Sequence, residues 1–107
     1  MKRSYYSSDH EGFIQSDPEN IFNEIVGNDP YSTLSEQKNA WKAQIEILQK
    51  ELNNIPIGRI LFEYTIPRMG RRVDNVLFYQ GVVYVLEFKT GVGSSDYESA
   101  DIKQTEG

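Results

Sequence analysis

Cysteine is absent from the 107 residues, which excludes disulfides, thiolate catalysis and cysteine-held zinc or iron–sulfur centres. Histidine is nearly absent as well: His10 stands alone in a polar N-terminal stretch, where it reads as inert, and a histidine-rich metal site is excluded. Any bound metal must therefore be held by oxygen, and carboxylate donors select magnesium, manganese or calcium over zinc or copper. No stretch approaches the ~20 consecutive apolar residues of a membrane span, and Met1-Lys2-Arg3-Ser4-Tyr5-Tyr6 lacks the apolar run of a signal peptide. The chain reads as soluble and cytoplasmic, with no membrane partner. A positive charge excess is missing too: the net charge of -5 argues against general attraction to nucleic acid.

The distribution of charge is less uniform than its sum. Residues 1–57 hold nine acids and five bases, 58–90 three acids and five bases, and 91–107 four acids and one base, so only the middle segment is net positive. At this length one hydrophobic core is expected, and neither repeats nor low-complexity tracts interrupt it.

Residues 1–33 form a polar, patchy N-terminal segment. Within it, Asp17-Pro18 has the form of an N-cap followed by proline at the first helical position, and Ile21, Phe22, Ile25 and Val26 supply an apolar side before Gly27, which predicts a short helix over 18–26. A longer helix is expected over 34–53, capped by the Thr33 and Glu36 pair and striped by Trp41, Ile45, Leu48 and Leu52, with Asn53, Asn54 and Pro56 ending it. Trp41 in that stripe reads as a core anchor. Extended patterns then run from Arg59 to Ile66, Arg72 to Tyr79 and Val82 to Thr90, separated by Pro67-Arg68-Met69-Gly70 and Gln80-Gly81 turns. After the Gly91 to Ser95 loop, Ser95 and Glu98 predict the start of a second helix. The plan is α+β: a helix, a three-stranded antiparallel meander and the start of a second helix, packed as helices on a sheet.

The middle segment carries the chemistry. If Gln80-Gly81 is a two-residue loop, Tyr79 pairs with Val82 and, counted outward, Asp74 pairs with Glu87. Opposed side chains lie roughly 4.5–5.5 Å apart at Cβ, where two carboxylates repel and call for a cation, most simply a divalent metal. Lys89 shares the face of Glu87, diagonal to Asp74. Such a group suits phosphodiester hydrolysis: a metal polarises the phosphate and its water, and the amine steadies the developing charge. A three-residue loop with a glycine bulge would instead turn Glu87 away from Asp74, and because Val82 to Phe88 is apolar on both sides, hydrophobicity does not choose between the registers. Both faces of this strand read as buried.

Asp74 followed by Glu87-Phe88-Lys89 resembles the Asp, Glu-x-Lys motif of the PD-(D/E)XK nuclease superfamily. Similarity extends through Ala40-Trp41, Phe62 to Asp74 and Val85 to Gly91, and on these stretches the chain looks like the N-terminal module of bacterial proteins of the DUF2075 group, which continue into a helicase-like ATPase domain. The resemblance implies a restriction-endonuclease-like core, here residues 34–107, incomplete at its C-terminus, with Mg2+ or Mn2+ as cofactor and nucleic acid as substrate. It also implies catalytic roles for Asp74, Glu87 and Lys89, and metal ligation by Asp74, Glu87, the Phe88 backbone carbonyl and an acid from the long helix, for which Glu51 faces better than Glu46. Val73 stands where the motif's name has proline, and no phosphate-binding Gly-x-x-x-x-Gly-Lys-Ser/Thr loop occurs, so ATPase activity is not assigned.

Arg68, Arg71 and Arg72 are candidates for phosphate contact, with solubilising charge as the equal alternative. Glu63 is a candidate for supporting the site or for pairing with an arginine, and Gln104 is a further candidate. The rival readings are a non-catalytic module that helps a downstream ATPase engage nucleic acid, and a structural interaction domain whose acids pair with Arg71, Arg72 and Lys89. An open sheet edge would favour a homodimer.

Overall fold

The computed structural model describes residues 3–31 and 34–88, together with the backbone of 100–105. Short polar side chains start the N-terminal elements. After β1 (Tyr6–Ser8), the Asp9 carboxylate accepts a hydrogen bond from the Gly12 N–H at 2.8 Å and opens α1 (His10–Gln15). Asp17 accepts from the Glu19 N–H at 2.9 Å, and Pro18 takes the first position of α2 (Pro18–Asn28). Each cap satisfies a donor that the first helical turn leaves without an intrahelical partner.

Helix α3 (Ser35–Glu51) follows the expected stripe, with Trp41, Ile45 and Leu48 buried on one side. Its start differs from the expected capping box. Leu34 is the N-cap and supplies no side-chain bond, while Thr33 lies outside the described residues. The helix ends as Leu52 N–H closes on the Leu48 carbonyl at 2.9 Å.

Beyond it, β2 (Arg59–Ile66), β3 (Arg71–Tyr79) and β4 (Val82–Phe88) form the expected meander. The next element corrects the expectation of a helix. Residues Ala100–Thr105 form a strand, β5, antiparallel to β4. The physical reason is the free edge of β4, whose backbone groups need partners, and a segment in which Ala100 and Ile102 alternate with Asp101 and Lys103. Ser95 and Glu98, the expected caps, lie outside the described residues.

The sheet order is β1-β2-β3-β4-β5, antiparallel throughout, and the fold is α+β, with three helices among the described residues. Ile60, Phe62, Leu77 and Leu86 share the sheet face that meets Phe13, Ile21, Ile25, Trp41, Ile45 and Leu48. Phe13 lies with its ring centroid 5.8 Å from that of Phe62, and Tyr6 packs edge-on to the same ring at 5.8 Å. Burying an aliphatic or aromatic side chain of this size contributes about 1.5–3 kcal/mol. The N-terminal residues thus share one core with α3 and the sheet. His10, far from inert, donates from Nε2 to the Leu52 carbonyl at 2.8 Å, and Gln49 Nε2 donates to the carbonyls of Phe13 and Ser16, both at 2.9 Å. These bonds lash α1 to the C-terminal half of α3.

The described helices cover one face only. In β4, Leu86 alone is buried and the remaining residues are half-exposed, which corrects the expectation of a strand buried on both faces. Among the described residues, no helix is long and apolar enough to cross a membrane.

The turn between β3 and β4 decides the register. Gln80 at φ 51 and Gly81 at φ 78 are both left-handed, as a two-residue type I′ turn requires, and Tyr79 pairs with Val82. Glutamine has a Cβ that resists this conformation, whereas asparagine tolerates it. Gln80→Asn is therefore expected to stabilise the fold by about 0.5 kcal/mol, raising the urea midpoint without changing the slope. A lowered midpoint would contradict the turn geometry.

Candidate active site at the third and fourth strands

Pairing between β3 and β4 runs from Tyr79↔Val82 to Asn75↔Leu86, and the same count sets Asp74 opposite Glu87 one step further. At that step side-chain contact replaces the ladder. Asp74 Oδ2 accepts from the Phe88 N–H at 2.7 Å, taking a donor that regular pairing would give to a β3 carbonyl. It is the N–H of Phe88, whose carbonyl is the expected metal ligand, that meets Asp74. The Asp74 carboxyl is held above the ordinary range by burial first and by the nearby Glu87 charge, against the lowering effect of the Phe88 bond.

Glu87 has a cation already. Arg71 Nη2 reaches Glu87 Oε1 at 3.0 Å and Oε2 at 2.8 Å, with side chains 52% and 30% exposed. Arg71 is placed for this by Gly70, whose φ of 62 closes the 67–70 turn as its N–H bonds the Ile66 carbonyl at 3.0 Å. Arg68 is exposed in the same turn. Arg72 points elsewhere. It donates from Nη1 to the Tyr5 hydroxyl and lies 5.1 Å over the Tyr5 ring and 5.8 Å from the Tyr31 ring centroid.

Glu63 is the residue whose setting the one-hairpin count did not expose. Counting back from Ile66↔Arg71 across the 67–70 turn sets Glu63 opposite Asp74, and the signal lay in that second turn. Glu63 itself has φ 54, a left-handed interruption between the Phe62↔Asn75 and Tyr64↔Val73 pairs. Its carboxyl meets Arg72 Nε at 3.9 Å, and its pKa is pushed up to about 7 by burial and then by the Asp74 charge, with Asp29 adding to the rise. The buried Trp41 indole faces Glu63 and favours the charged form, yet its Nε1 completes no hydrogen bond. Arg72 is too far, and too engaged with Tyr5, to offset the burial. Gln44 Oε1 and Asn75 Oδ1 are also buried without hydrogen-bond partners among the described residues.

The other expected residues are not gathered here. Glu51 is exposed at the C-terminal end of α3, about 15 Å along the helix axis from Trp41, which faces Glu63. Gln104 pairs with Tyr84 on β5, whereas Asp101 is the residue opposite Glu87. Lys89 lies outside the described residues. Among the described residues, no group of three or more carboxylate, imidazole or thiol side chains is gathered closely enough to hold a metal. The arrangement is a pair of adjacent carboxylates, one desolvated and one forked by arginine, with a third acid behind them.

Comparisons of the chain with models of protein families, with curated proteins and with solved structures find no match.

The folded state binds the Glu63 proton more tightly than the unfolded chain does, so this residue lowers stability as pH rises from about 4.5 to about 7, with no penalty below that window and the full penalty above it. Glu63→Gln should therefore gain stability over the parent across the window, by at most about 3 kcal/mol, and hold that gain at higher pH. Paired urea titrations at pH 4 and pH 8 check this, and a gain equal at both pH values would contradict the buried carboxyl.

Proposed function

We propose that the hairpin is the active-site element of a divalent-metal-dependent nuclease module that hydrolyses phosphodiester bonds in DNA or RNA. The observation that carries this reading is the two-residue turn at Gln80-Gly81: the ladder it sets ends at Asn75↔Leu86, and the next step of the same count would oppose Asp74 and Glu87 on adjacent strands. It is the arrangement that the resemblance to PD-(D/E)XK nucleases requires of those two residues, and it rests on backbone geometry independent of the motif.

The donor set suits a hard cation. One oxygen of Asp74 is held by the Phe88 N–H, leaving Oδ1 as a ligand, and Glu87 supplies a second carboxylate. Magnesium is commonly held by one or two carboxylates with water and substrate phosphates completing the shell, so two acids are sufficient. The raised pKa of Asp74, due first to burial and in smaller part to the Glu87 charge, is in keeping with this, since a positive charge nearby would offset both. When bound, the metal would supply Lewis-acid polarisation of the phosphate and a more acidic water. Asp74 and Glu87 would orient that water, and Lys89 is assigned the developing charge on the phosphate. Arg68 and Arg71, on the turn beside the acids, are assigned to flanking phosphates.

One observation favours a second reading. The Arg71–Glu87 pair already neutralises one acid, as expected of an interaction domain in which the carboxylates are structural. A non-catalytic nucleic-acid-binding module alongside a helicase-like ATPase would use the same basic turn without cleavage.

The readings separate in a cleavage assay on single- and double-stranded DNA and RNA with Mg2+ or Mn2+. The nuclease reading expects cleavage abolished by chelation and lowered by about 100-fold or more in Asp74→Ala and in Glu87→Ala. Metal-independent binding that survives Glu87→Ala, with no cleavage of any substrate, would replace it with the binding module.

A further inference from the structure

The geometry points to Arg71 as a resident cation that occupies Glu87 in the resting protein and is exchanged onto the substrate phosphate when a metal takes Glu87, so that metal and phosphodiester bind cooperatively. This rests on the proposed nuclease reading. Its basis is the fork: both Glu87 carboxylate oxygens lie within 3.0 Å of one guanidinium nitrogen, Nη2 of Arg71. A carboxylate engaged on both oxygens cannot offer a cation its full charge. A metal approaching Asp74 and Glu87 must therefore compete with Arg71.

The same planar donor set suits a phosphodiester as well as it suits a carboxylate. Arg71 is half-exposed at the first position of β3, and the exposed turn before it closes on Gly70, so the side chain reaches solvent as well as Glu87. The exchange is balanced in charge. Before it, Arg71 is paired with Glu87 while the cation and the phosphodiester are in water; after it, Glu87 faces the cation and Arg71 faces the phosphate, with no group left without a counter-charge. Asp74 takes no part in the exchange because its held oxygen is engaged by the Phe88 backbone. It would act as the constant ligand, and Glu87 as the conditional one.

Reciprocity follows from linkage: if phosphate draws Arg71 away from Glu87, phosphate tightens metal binding, and metal tightens phosphate binding by the same factor. Without Arg71 its share of the competition is lost, and with it the part of the coupling that Arg71 carries.

The test is Mn2+ binding to the full chain, followed by the loss of the free-ion paramagnetic resonance signal, with and without a cleavage-resistant phosphorothioate oligonucleotide, in the parent, Arg71→Ala, Arg71→Lys and Asp74→Asn. Without oligonucleotide, Arg71→Ala is expected to bind Mn2+ about tenfold more tightly than the parent, with Arg71→Lys between them because it keeps the charge and loses the planar guanidinium. Oligonucleotide should tighten Mn2+ binding to the parent by a larger factor than in Arg71→Ala, which keeps only the direct coupling between metal and phosphate, and Asp74→Asn should abolish binding in both. Arg71→Ala binding Mn2+ no more tightly than a parent that still depends on Asp74 would overturn the exchange and leave the metal site standing. Absence of Asp74-dependent Mn2+ binding in both proteins would overturn the nuclease reading itself. Thermal unfolding of each variant distinguishes a lost fold from a lost site, and Arg71→Lys carries the comparison if Arg71→Ala does not fold.

Discussion

The β3–β4 register depends on two consecutive residues in the left-handed region, Gln80 and Gly81. Their backbone twist matches that of the strands they join, which permits a loop of two residues and sets Tyr79 against Val82. Because side chains alternate with a period of two, this one pairing distributes the rest. Leu77 and Leu86 enter the core with Phe62 and Ile60, and the count carried one step past Asn75↔Leu86 puts Asp74 against Glu87. A loop one residue longer would keep the same composition in the strands and separate the acids. The chemistry at this site is therefore a consequence of a turn some distance along the hairpin from it.

Charge is organised locally in a way that the net value conceals. Glu63 and Asp74 are partly desolvated acids in mutual repulsion, and Glu87 is held by Arg71. Arg72 goes to the aromatic rings of Tyr5 and Tyr31 and makes only a long ion pair with Glu63, at 3.9 Å. The excess of bases in residues 58–90 is thus spent on internal partners as much as on an electrostatic surface. The burial of Asp74 and Glu63 close to each other is the physical argument for a cation, and the Arg71 fork is the argument against a strong one in the resting state. The proposed exchange reconciles the two.

The N-terminal segment shows how composition misleads. Its polar residues are largely caps and lashings: Asp9 and Asp17 start helices, and His10 binds the end of α3. Between them Phe13, Ile21 and Ile25 are fully buried, and Tyr6 adds a strand to the sheet. A window average over such a stretch reports polarity, while the fold uses each polar group once at an element's end and each apolar group in the core.

The sequence by itself determined the α3 stripe, the α2 start at Asp17-Pro18, the three-strand meander and the two acids of the hairpin, because these depend on local periodicity and on turn chemistry written in adjacent residues. It left open the loop length that decides whether those acids meet. Tertiary structure alone decided four matters: that Ala100–Thr105 is a strand and not a helix, that Glu51 ends exposed at the C-terminal end of α3, beyond the Trp41 turn that faces Glu63, that Arg71 takes Glu87, and that Glu63 is buried beside Asp74. Each depends on a partner distant in sequence. The free edge of β4 recruits β5, the length of α3 carries Glu51 away, and the 67–70 turn delivers both Arg71 and Asp74 to acids on neighbouring strands. Local rules specify what an element is, and only packing specifies which charges it must share space with.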